Sequence, residues 1–132
     1  MFWINKINEF FRQQKIEIDP LPEVELVGDD EKVNDKSDIL ISTGGYQPET
    51  STIVLYISNR HIKDILRSYC HEMIHHNQTL DNKDYIMRTY TRENVVDDPD
   101  LEEIEAEAYL KGNLVFRKFT EVLKKQMKKS KT

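Results

Sequence analysis

A single cysteine, Cys70, stands in the 132 residues. That excludes an internal disulfide framework and points to a reducing compartment, the cytoplasm. Long apolar runs are absent: the longest, residues 53–57, has five residues, where a bilayer-spanning helix needs roughly twenty. No membrane span is expected, and no secretory leader either, because Lys6 and Glu9 interrupt the apolar residues that begin at Phe2. There is no internal repeat. The acidic stretch Asp97-Asp98-Pro99-Asp100 lacks the twelve-residue loop of a calcium site, with its central glycine and closing glutamate. With 38% apolar residues and a net charge of −5, the composition is that of one domain, residues 1–132. A chain of this length buries enough surface to fold without a metal as its sole support, so a bound ion would serve function.

Hydrophobic spacing divides the chain into helical and extended stretches. Trp3, Ile4, Ile7, Phe10 and Phe11 recur at helical intervals, predicting an amphipathic helix over 2–15 that packs on a sheet. Pro20 and Pro22 end it, and Val24, Leu26 and Val27 suggest a short strand that stops at Gly28. A polar loop over 29–36 follows. Residues 39–42 and 51–58 read as two β-rich runs joined by a glycine-containing loop over 43–50. From Ser58 or Asn59, either of which can cap a helix, Ile62, Ile65, Leu66, Tyr69, Met73 and Ile74 form an apolar stripe. A polar connection begins after Asn77, and residues 85–90 suit a short helix or strand. Asp98 caps and Pro99 opens a second long helix, with Gly112-Asn113 a point of kink or break.

The first of these long helices carries His71-Glu72-Met73-Ile74-His75, the H-E-x-x-H pattern. In a helix, residues i and i+4 share a face, so both imidazoles reach one Zn²⁺ while Glu72, one step round the axis, reaches its water. Cys70 lies on another face and reads as a small buried residue. A catalytic zinc needs a third protein ligand. No histidine follows His76, which points away, and His61 lies almost three turns up the helix, so a carboxylate from another element remains. The second helix offers Glu102, Glu103, Glu105 and Glu107. Glu103 and Glu107 share a stripe with Ala106, Leu110 and Leu114, which places Glu103 on zinc and Glu107 behind a ligating histidine. Glu102 and Glu105 read instead as solvated or as part of the negative charge at the helix N-terminus, with Glu105 the alternative ligand on a competing stripe with Leu101 and Ala108.

His71 to His75, followed by residues 103–109, resembles the gluzincin branch of zincin metallopeptidases, whose second helix carries E-x-x-x-D. It is also similar to the small H-E-x-x-H proteins of phages and bacteria, including the ImmA/IrrE-like group with its E-x-x-A-N helix. A weaker similarity is to SprT-like proteases, whose third ligand is a histidine. The resemblance spans residues 52–115 and implies His71, His75 and Glu103 on one zinc ion, Glu72 as general base, and Glu107 behind a histidine. Two departures stand out: Glu107 occupies the Asp or Asn position, and His76-Asn77 replace a hydrophobic pair. The register 105–109 fits E-x-x-A-x as well as 103–107 does.

The expected fold is α+β, a minimal zincin-like domain with a small twisted sheet, the H-E-x-x-H helix and a downstream glutamate helix. The expected activity is zinc-dependent hydrolysis of a protein or peptide substrate, with Tyr85, Tyr90 and His76 as candidate oxyanion donors. Residues 53–57 could offer a sheet edge to that substrate. The alternatives are a zinc-binding structural or interaction protein without proteolysis, or an SprT-like protease associated with nucleic acid. Charge bears on the last: residues 81–107 hold ten acids and three bases, residues 111–132 eight bases and one acid. The basic tail, 124–132, is a candidate for nucleic-acid docking, although lysines there also suit the helix C-terminus.

Overall fold

The computed structural model describes residues 2–28, 44–81 and 99–130. Expectations for the loop at 29–36, the strand at 39–42, the element at 85–90 and the Asp98 cap lie outside these residues. Helix α1 (Phe2–Gln13) buries Ile4, Ile7, Phe10 and Phe11. It ends in a Schellman turn: Ile16 N–H donates to Phe11 O (3.1 Å) and Lys15 N–H to Arg12 O (3.0 Å). Lys15 holds the left-handed conformation this turn requires, φ 61°, and Ile16 packs against the core.

Strands β1 (Glu23–Val27), β2 (Gly44–Gln47) and β3 (Thr52–Tyr56) form one sheet in the order β1-β3-β2. β1 runs parallel to β3 with Val24 opposite Ile53, and β2 runs antiparallel with Tyr46 opposite Ile53. Gly44 to Gln47, expected as loop, is therefore a strand. Glycine usually weakens strands, but at Gly44 a Cβ would meet the Val54 carbonyl oxygen at 2.8 Å, so this close pairing depends on the missing side chain. β3 is the central strand, which corrects its expected role as an edge for substrate. Alternate residues Ile53 and Leu55 enter the core.

Helix α2 (Ile62–Leu80) follows β3 after a short turn. Its cap is His61, whose Nδ1 accepts from Lys63 N–H at 3.0 Å; Asn59 instead supplies a left-handed residue, φ 58°. Arg60 fastens the turn by donating to Tyr56 O, Asp64 O and Ser68 Oγ at 2.7, 2.9 and 2.7 Å. Helix α3 (Pro99–Ser130) starts at the expected proline and runs unbroken through Gly112. Ile104, Ala108, Val115, Phe116 and Phe119 are its buried stripe, whereas Leu110 and Leu114 are 64% and 43% exposed. At Gly112 a Cβ would lie 2.9 Å from His71 Cα and 3.1 Å from His71 N. The glycine marks the close crossing of α3 over α2 in place of a kink.

The fold is α+β. Helix α1 packs against α2 and α3, where the expectation placed it on the sheet. Phe10 meets Phe119 edge-on at 5.7 Å, and the buried Tyr69 hydroxyl donates to Asn8 Oδ1 at 2.6 Å. Among the described residues, no helix is long and apolar enough to cross a membrane.

Candidate metal centre

The α2–α3 crossing assembles the chemistry. His71, Glu72 and His75 each offer a ligand atom, all within 4.8 Å of one another. From α3, Glu105 reaches the same point: His71 Nε2–H donates to its Oε1 at 3.0 Å, and His75 Nε2–H lies 3.2 Å from both oxygens. Glu103 is on the exposed face of α3, and so is not brought to the imidazoles. The reason lies in helical phase. Burial follows Ile104, Ala108 and Val115, so the flank beside Ile104 turns Glu105 inward, while the Ala106–Leu110–Leu114 face looks outward.

Burial and charge fix the protonation preferences of the metal-free site. Burial raises Glu72 above the ordinary carboxylate value, against the pull of His75 and His71. For Glu105, burial acts upward, but hydrogen bonds from both imidazoles outweigh it and hold the carboxyl at about 2. His75 loses basicity to burial and regains more from Glu105 and Glu72, so its value is raised. The raised His75 value reflects the buried Glu72 and the partly buried Glu105 carboxylates beside it, each of which favours positive charge on the ring.

The donor set suits a divalent ion. Two imidazoles and one carboxylate at metal distances of about 2.0–2.2 Å stand roughly 3.4 Å apart in a tetrahedron, within a few tenths of the nitrogen–oxygen separations here. Tyr109 covers His71, ring centroids 4.4 Å apart. His71 Nδ1 is buried with no hydrogen-bond partner among the described residues.

Behind His75 stands a residue the sequence reading passed over. His75 Nδ1–H donates to Gln78 Oε1 at 2.9 Å, and fully buried Gln78 donates through Nε2 to Ile104 O at 3.1 Å and Glu107 Oε1 at 2.7 Å. Glu107, expected directly behind a histidine, stands one residue further back, its other oxygen 3.4 Å from Lys111 Nζ. A polar residue one turn after the second histidine was the available signal. His76 does face away: Tyr46 OH donates to its Nδ1 (2.9 Å) and its Nε2–H donates to Pro20 O (2.8 Å). It is thereby removed as an oxyanion donor, and Tyr85 and Tyr90 lie outside the described residues. Cys70 is buried in the core, its thiol pushed upward by burial. Lys124, Lys125 and Lys128 are exposed on the last turns of α3. Compared with protein-family models, curated proteins and solved structures, the chain matches none of them.

Proposed function

We propose that this chain is a zinc-dependent metallopeptidase in which His71, His75 and Glu105 hold one ion and Glu72 is the general base. The reading rests on one observation: two imidazoles of α2 and a carboxylate of α3 converge within 3.0–3.2 Å, with Glu72 buried beside them. When bound, the ion supplies positive charge that polarises a carbonyl and acidifies water. Burial raises the proton affinity of Glu72, which suits a group that takes a proton from water and passes it to the leaving amine. Glu105 and the imidazoles position the charge, and Tyr109 shields His71 from bulk water. Relative to the resembled E-x-x-x-D helix, choosing Glu105 as ligand puts Tyr109 at the acid's position.

Metal content by elemental analysis tests the ligands before a substrate is known. Wild type and Glu103→Ala should carry one zinc per chain and Glu105→Ala should lose it. Zinc retained by Glu105→Ala would overturn the assignment. Glu72→Gln should keep the metal and abolish cleavage of denatured protein substrates. If wild-type zinc protein cleaves no substrate library, the non-proteolytic metal-binding reading takes its place.

A further inference from the structure

We propose that the end of the molecule where α1 begins and α3 finishes docks on a membrane surface rich in anionic lipid. Helix directions bring the two termini together. α1 runs alongside α2 in the same sense: Tyr69 OH donates to Asn8 within α1, and Asn77 Nδ2 donates to the carbonyl of Glu17 just past its end. α3 runs the opposite way along α2, with Glu107 beside Gln78, Gly112 against His71, and the Arg67 guanidinium 5.2 Å from the Phe116 ring centroid. Phe10 of α1 meets Phe119 of α3, so the residues before the one and after the other share an end. By helix rise, Trp3 and residue 126 each lie roughly 10 Å beyond that contact.

Two kinds of side chain meet at this end. Phe2 and Trp3 are 62% and 40% exposed, Val122 and Met127 39% and 59%. Lys6, Lys118, Lys124, Lys125 and Lys128 are exposed as well. Charge is polarised along α3: five acids stand in residues 99–107, whereas residues 111–132 hold eight bases and one acid, Glu121, which pairs with Arg117. The basic pole therefore turns toward a negative surface, and the apolar side chains there gain by leaving water on arrival. Lipid suits the aromatics better than nucleic acid does. Base stacking needs an open ring face, but Phe2 and Trp3 stand edge to face with centroids 5.1 Å apart, and Lys6 Nζ lies 5.5 Å from the Phe2 centroid. A lipid interface asks only for apolar edges beside lysines. None of this draws on the metal centre.

Trp3 is the single tryptophan of the chain, so its fluorescence reports the contact directly. With phosphatidylcholine vesicles containing phosphatidylserine, the full chain should sediment with the vesicles and its emission should shift to the blue. With phosphatidylcholine alone, or at high salt, both effects should fall away. The triple variant Lys124→Gln/Lys125→Gln/Lys128→Gln should weaken vesicle binding on the order of 100-fold, at about fivefold per lysine, and Phe2→Ser should weaken it about tenfold. Both variants change exposed side chains, and circular dichroism matching wild type verifies that each is folded. No sedimentation with anionic vesicles, sedimentation without an emission shift, or a triple variant that binds within twofold of wild type overturns the proposal. So does a Trp3 response to single-stranded DNA with none to vesicles, which would assign the basic end to nucleic acid instead.

Discussion

Replacing Gly112 by alanine should destabilise the protein, against the direction of helix propensity. In an exposed helix interior the change would gain about 1 kcal/mol. Here the new methyl would sit 2.9 Å from His71 Cα, 3.1 Å from His71 N and 3.3 Å from Cys70 C. Carbon atoms prefer about 3.5–4.0 Å, so the crossing must open by roughly 0.6–1 Å at that point. All three neighbours are α2 backbone and no rotamer change can yield. Overpacking of this kind costs about 1–3 kcal/mol, which leaves a net loss near 1 kcal/mol, or about 4 °C in Tm. The same wedge separates His71 from Glu105, which stands about two turns along α3 from the contact, so zinc affinity should fall several-fold. Calorimetry on the metal-free protein and zinc titration test both effects. A raised Tm with unchanged zinc affinity would refute the close-crossing argument, because propensity alone would then have decided the outcome.

Metal-free protein should be most stable near pH 4.5–5. Glu105 contributes fully above its ordinary 4.5 and loses that contribution as pH falls toward about 2; buried Glu72 becomes unfavourable as pH climbs above 4.5. His75 stabilises below 6.5 and ceases to as pH rises through its elevated folded value. Zinc should reverse the alkaline slope, since it binds deprotonated ligands; melting curves across pH with zinc and with chelator would show the crossing, and identical slopes would reject it. Lys15→Gly should stabilise by about 1 kcal/mol by relieving a left-handed residue, measured by urea unfolding; a loss would mean that the turn does not form. Cys70 should resist a thiol-specific dye in folded protein and react on unfolding, and fast native labelling would contradict its burial.

What could be read from sequence divides along physical lines. The H-E-x-x-H helix was legible because its stripe from Leu66 to Ile74 and its paired histidines share one period. Pro99 announced the start of α3 for a similarly local reason. The third carboxylate was not legible, because four glutamates in six positions leave helical phase undecided. Phase is set by Gly112, whose role as a contact appears only once α2 lies against it. β2 was hidden for the same reason: glycine lowers strand propensity, while the approach to Val54 that it permits is a tertiary property. Gln78 carried no motif at all. Its significance depends on Ile104 and Glu107 arriving from a distant helix.

The separation of the proposed ligands along the chain has a consequence for biosynthesis. Glu105 follows His75 by thirty positions, so at about 5–20 residues per second the two histidines leave the ribosome a few seconds before their carboxylate does. During that interval the proposed site consists of the α2 side chains alone. On the zinc reading, the complete clasp closes only when α3 docks on α2, so metal capture awaits that packing.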